Sequence, residues 1–170
     1  SNHSKHSGED LSYTDESGEK YSPHIIETSA GADRTLFTLL CAGFEEVEGG
    51  RTKTTESTKE IETVLNINAS LAHVKVAVLP LVKNKPEIVK KAKEVYALLK
   101  IHFNCQYDES GSIGRRYRRQ DEIGTPFCVT IDYDTLENDS VTVRNRDTTK
   151  QERISLSQLV QYIQMKLEEE

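Results

Sequence analysis

The sequence predicts an α/β fold: a small mixed β-sheet flanked by helices, in the order β-α-β-α-β-β-α over residues 73–170. Three observations carry this. Val74-Lys75-Val76-Ala77-Val78-Leu79-Pro80-Leu81 is a short, partly β-branched apolar run, the pattern of a buried strand. Pro86 then opens a stretch in which Ile88, Ala92, Val95, Tyr96 and Leu99 recur at helical spacing. Further on, Val141 and Val143 alternate with Thr142 and Arg144, as in a strand with one face on a core.

Taken in order, residues 3–22 are polar and read as loop, with a short strand near Leu11–Tyr13. Ile25-Ile26 reads as a strand that Gly31 ends, and a helix follows from Arg34 to about Phe44. That helix is apolar nearly all round, so something should cover it. Residues 45–63 are rich in Glu, Thr, Lys and Gly and read as a flexible connection at a domain boundary, with Val64–Leu71 leading into the next domain. This gives three parts: 1–44, a 45–72 linker, and 73–170.

Within the last part, the first strand and the Pro86–Lys100 helix precede a strand at Phe103–Tyr107. A helix over about Ile113–Ile123 is stopped by Gly124 and Pro126. Phe127–Tyr133 is a strand, Asp134–Asp139 a turn, Ser140–Arg146 a strand, and Asp147–Arg153 loop or strand end. Ser155 with Gln158 reads as a capping box before a terminal helix faced by Leu156, Leu159, Val160, Ile163 and Leu167.

Composition narrows the function classes. The 170 residues carry a net charge of −6, so nucleic-acid binding would need a focused patch rather than bulk attraction. Only 35% of residues are apolar, Trp is absent, and no apolar run approaches membrane length, so a soluble, cytoplasmic protein without membrane contact is expected. No signal peptide is visible, and Ser1-Asn2 reads as an expression scar. Cys41, Cys105 and Cys128 are far apart and read as free thiols, and no Cys/His spacing suits a metal.

The local inversion of charge lies at Ser110-Gly111-Ser112-Ile113-Gly114-Arg115-Arg116-Tyr117-Arg118-Arg119. A small-residue loop runs into a helix N-terminus, which attracts anions, and Ser112 is placed to cap it. The arginines span little more than one turn and cannot share one face. They suit a solvated helix in which Asp121 and Glu122 pair internally. They equally suit a phosphate and base contact surface, with Tyr117 as core or stacking platform. Thr142, Arg144 and Arg146 alternate onto one side of a strand and could extend that surface. Glu27, Ser29 and Arg34 suit holding an ammonium group and a phosphate, or an ordinary strand-turn-helix; the residues alone leave both open.

These segments resemble a known family. The run from Ser110 through Gly124, then Val129-Thr130-Ile131-Asp132-Tyr133-Asp134-Thr135-Leu136, then Val141–Arg144 and Arg146-Asp147, resembles the C-terminal anticodon-binding domain of the class II glycyl-tRNA synthetases. Pro23-His24-Ile25-Ile26-Glu27-Thr28-Ser29-Ala30-Gly31-Ala32-Asp33-Arg34 resembles motif 3 of the same enzymes, with Thr28 where the family usually has Pro. Ser7–Leu11 to Lys20-Tyr21 resembles the lead-in.

The resemblance implies a parent enzyme that activates glycine with ATP and Mg2+ and charges glycine tRNA, working as a homodimer. It implies that residues 1–44 are a remnant of the catalytic domain. Glu27, Thr28, Ser29, Ala30 and Gly31 would lie at the glycine. Gly31, Ala32, Asp33 and Arg34 would line the ATP site, with Arg34 acting on the triphosphate. Arg115, Arg116, Arg119, Asp121, Glu122, Arg144 and Arg146 would read the anticodon, whose last two bases are cytosines. Motifs 1 and 2 do not fit into residues 1–22, so a C-terminal fragment that does not aminoacylate alone is expected, with no cofactor bound to it. The rivals are a non-catalytic synthetase-like accessory module that binds nucleic acid or protein, and a small autonomous phosphate-binding enzyme resting on the glycine-rich loop.

Overall fold

A computed structural model of the chain describes residues 2–51 and 61–169, which fall into two compact units divided after Thr35. In the first, α1 (Asn2–Ser7) precedes a two-stranded antiparallel hairpin, β1 (Tyr13–Thr14) with β2 (Lys20–Tyr21). Asp15 organises its turn: the carboxylate accepts from the Ser17 and Glu19 amides and the Ser17 hydroxyl. A loop was expected over most of this stretch. The strand expected at Ile25-Ile26 is absent; no strand pairs with it, and both side chains are exposed.

α2 (Ala32–Gly43) begins two residues before the predicted start and ends on a buried glycine. A Cβ on Gly43 would lie 2.8 Å from the Ile67 side chain and 3.0 Å from the Asn66 carbonyl, so only glycine fits. Leu36, Phe37, Leu39 and Leu40 are exposed, so nothing in the described structure covers the apolar helix. Then β3 (Phe44–Glu48) pairs antiparallel with β4 (Ile61–Leu65). A regular hairpin thus stands where a flexible connection was expected; residues 52–60 of that connection lie outside the described residues.

The rest of the second unit is a five-stranded sheet with helices on both faces. Its elements are β5 (Val76–Pro80), α3 (Pro86–Leu99), β6 (Cys105–Tyr107), α4 (Ile113–Glu122), β7 (Phe127–Ile131), α5 (Tyr133–Asn138), β8 (Ser140–Asn145), β9 (Gln151–Ser155) and α6 (Leu159–Glu169). The strand order is β6-β5-β7-β8-β9, with β5 parallel to both neighbours and the β7-β8-β9 pairings antiparallel. The chain steps one way from β5 to β6 and back past β5 to β7, so right-handed crossovers put α3 and α4 on opposite faces. Packing agrees: Val76 and Val78 meet Ile88, Ala92, Val95 and Leu99 of α3, with Leu159 and Ile163 of α6. Ala77 and Leu79 meet Tyr117 of α4 and Cys128. β5 is buried on both faces, which is why it reads as an unbroken apolar run.

Three sequence expectations are corrected here. Asp134–Asp139 is not a turn but α5, whose capping box is Asp132 with Thr135: the Asp132 carboxylate accepts from the Thr135 amide, and the Thr135 hydroxyl from the Asp132 amide. The region after Arg146 turns and returns as a fifth strand, β9. Ser155 pairs in that strand with Ser140, so it does not cap α6.

Candidate nucleic-acid interface

The interface is built from α4 and the sheet face beneath it. α4 has Ser112 at its N-cap position, but the Ser112 hydroxyl makes no capping bond. The loop ahead of it is instead held by arginines of the helix itself. Arg116 donates to the carbonyls of Pro80 and Gly111, and Arg119 binds the Asp108 carboxylate at 2.6 Å and the Ser110 carbonyl. The arginines of the first turns are therefore partly spent on fixing the loop.

The predicted anticodon set separates into two groups. Arg116, Asp121, Arg144 and Arg146 are each at most 3% exposed, so the structure corrects the expectation that they form an open patch. Arg144 grips Asp121 with two parallel hydrogen bonds of 2.8 and 2.9 Å and lies over the Tyr117 ring at 4.9 Å. Burial alone would lower the Arg144 guanidinium; the Asp121 bonds outweigh it and hold the value above the ordinary arginine range. Arg146 follows the last residue of β8, and its side chain donates to the carbonyls of Gly124, just past α4, and of Ile67, so it is enclosed between those segments and not open to a guest. Arg115 and Glu122 are exposed and Arg119 half-buried, which leaves these three at the surface. Arg118, outside the predicted set, is buried 3.6 Å from Glu62 of β4.

α4 covers only the β5 side of its face. Beyond it, strand register lays Cys128, Arg144 and Gln151 in one row and Thr130, Thr142 and Arg153 in the next. The uncovered half forms a cleft of about 520 Å3. Tyr117, Ile113 and Leu81 line one side, and Thr130, Thr142, Arg144 and Gln151 lie on the strands. Asp132, Thr149 and Arg51 complete it. The Tyr117 and Thr130 hydroxyls are bonded to each other at 2.6 Å, and burial pushes the Tyr117 phenol up, keeping it neutral. Asp132 takes bidentate contacts from Arg153. The result is an aromatic edge beside a floor of hydroxyl, amide and guanidinium groups, suited to a planar, hydrogen-bonding guest. Of the predicted set only Arg144 lines it. Thr142 was legible from alternation; Gln151 was not, because its strand carries no apolar alternation.

The residues expected at glycine and ATP lie in the other unit. Glu27, Thr28, Ser29, Ala30, Gly31, Ala32, Asp33 and Arg34 are all exposed. Residues 27–31 have no regular structure, and Arg34 stands in the first turn of α2. Together they bring two carboxylates (Glu27 and Asp33), two hydroxyls (Thr28 and Ser29) and one guanidinium (Arg34). Among the described residues, no group of three His, Cys, Asp or Glu side chains converges to hold a metal ion.

The profile of the anticodon binding domain matches residues 75–166, which is β5 through most of α6. The chain belongs to the anticodon binding domain family. Curated relatives agree: it is 51% identical to a glycine–tRNA ligase of Clostridium beijerinckii over 99% of this chain and 34% of that protein. It is 50% identical to one of Thermobifida fusca over 98% of this chain and 36% of that protein. The chain thus spans about a third of the length of the curated relatives it matches. Among solved structures, prolyl-tRNA synthetase of Cryptosporidium parvum aligns with a TM-score of 0.56 at 25% identity, over 61% of this chain and 22% of that one. The matched family segment holds every strand of the cleft, whereas Arg51 and the β3–β4 hairpin lie ahead of it.

Proposed function

We propose that this chain reads the anticodon of glycine tRNA on behalf of a glycine–tRNA ligase, an enzyme that activates glycine with ATP and charges the tRNA. The observation that carries the reading is the open half of the sheet. An anticodon binding domain with a polar cleft roomy enough for a base beside a buried tyrosine is equipped to take an unstacked nucleobase. A cytosine offers an amino donor and carbonyl and ring-nitrogen acceptors. Gln151 and Asp132 supply acceptors, and Arg144, Thr142 and Gln151 supply donors, so the cleft has both complements. Arg115, Arg119 and Glu122 stand as surface contacts toward the rest of the loop. Arg116, Asp121 and Arg146 serve by holding the frame.

In the same reading, residues 1–44 belong to the catalytic domain, 45–72 join it to the anticodon-binding domain, and 73–170 are that domain. Glu27 would hold the glycine ammonium, with Thr28, Ser29, Ala30 and Gly31 around it, and Arg34, with Gly31, Ala32 and Asp33, would face the ATP phosphates. Magnesium would arrive with ATP. The 170 residues would not aminoacylate by themselves, and the complete enzyme would be a cytoplasmic homodimer. No described helix is long and apolar enough to cross a membrane.

The test is a binding comparison between unmodified glycine tRNA and the same tRNA with both anticodon cytosines replaced. Preference for the first by about tenfold or more is expected, since each lost base contact costs about 1–3 kcal/mol. Equal affinity would rule out base readout by this chain.

A further inference from the structure

The cleft contains one charged side chain that the anticodon domain does not supply. Arg51 follows β3 and belongs to the hairpin ahead of the family segment, yet it lines the cleft with Thr142, Arg144 and Gln151. Its position is fixed from both ends. The Arg51 amide donates to the Glu62 carboxylate at 2.7 Å, and Glu62 is itself buried on β4. One terminal nitrogen, Nη2, donates to the carbonyls of Arg146 and Asp147 in the turn between β8 and β9.

Charge distinguishes this residue from the other ionised groups of the cleft. Arg144 is neutralised by Asp121, and Asp132 by Arg153. The described contacts of the Arg51 guanidinium are to carbonyl oxygens alone, which satisfy a hydrogen bond without cancelling a full charge. Its Nε and Nη1 take no hydrogen bond among the described residues. A half-buried, oriented guanidinium of this kind beside a neutral polar floor suits a phosphate, which would supply the missing charge and accept from the fork.

We propose that Arg51, presented by the β3–β4 hairpin, contacts a phosphodiester of the anticodon loop whose base enters the cleft; the inference rests on the anticodon reading given above. The hairpin is then part of the recognition surface.

The test uses the full 170-residue chain and fluorescently labelled glycine tRNA, with affinity measured from low to moderate KCl for wild type, R51A and R51K. R51A should weaken binding about fivefold or more at low salt, equally for glycine tRNA and for the cytosine-replaced tRNA, because a phosphate contact carries no sequence information. The slope of log affinity against log salt should become shallower by about 0.7–0.9, the share of one phosphate. R51K keeps the charge but not the fork, so it should retain the slope and recover most of the affinity. If wild type binds and R51A matches it in affinity and slope, the inference is wrong and the anticodon reading stands. If R51A and R51K lose affinity alike with the slope unchanged, Arg51 only clamps the turn, and the inference is again wrong. If wild type does not bind glycine tRNA, both fall.

Discussion

At the scale of single residues, burial decides which arginine does what. Arg144 and Asp121 form an enclosed pair whose removal from one side strands a charge. Asp121→Ala should therefore destabilise the chain by about 3–5 kcal/mol, read from urea unfolding, while a paired Asp121→Leu, Arg144→Met replacement should recover much of that loss. The thiols separate by the same logic. Burial pushes Cys128 up to about 12 and Cys105 up to about 11, so neither forms thiolate near neutrality. Cys41 is exposed. A disulfide reagent at neutral pH should label Cys41 first in the native chain and reach Cys128 only on unfolding. The sequence showed where the arginines cluster but not where they point. Four arginines in five positions look alike in a string, whereas Arg116 and Arg118 turn inward to Pro80 and Glu62, residues 36 and 56 positions away in sequence.

At the scale of elements, the apolar periodicities identified β5, α3, β7, β8 and α6, because those elements bury a stripe or a face and sequence spacing reports burial directly. The missed elements are stabilised differently. α5 owes its start to the side chain of Asp132 rather than to an apolar face, and β9 exposes most of its residues, so neither leaves a periodic trace. The hairpin β3–β4 was hidden by a polar composition, since on its two strands only Glu62 and Val64 are buried. Asp132 also gives the α5 region a pH dependence. Burial would raise its carboxyl, but hydrogen bonds from Arg153 and Thr135 prevail and hold it below the ordinary carboxylate value. A depressed folded value means that the carboxylate stabilises the fold above its unfolded value of about 4, and that this is lost as pH falls through the folded value. Wild type should lose stability more steeply than Asp132→Asn as pH drops below about 4, measured by thermal melting across an acid series.

At the scale of the molecule, the family, the half-covered sheet and the chemistry of the cleft converge on one reading, in which α4 stops short of β8 and β9 and leaves room for a base. The sequence pointed to the right domain through its resemblance. It named Arg115, Arg116, Arg119, Arg144 and Arg146 as the reading surface; three of these five are buried, and of them only Arg144 lines the cleft, because the cleft is assembled by register across β7, β8 and β9 and not by neighbours in the chain. The measurement closest to this claim is the ratio of affinities for glycine tRNA and its cytosine-replaced variant, taken for wild type and for Thr142→Tyr, which fills the cleft from β8. The ratio should fall from about tenfold or more to near one in Thr142→Tyr while its melting temperature stays close to that of wild type. A ratio that survives the filled cleft would mean that the anticodon is read elsewhere.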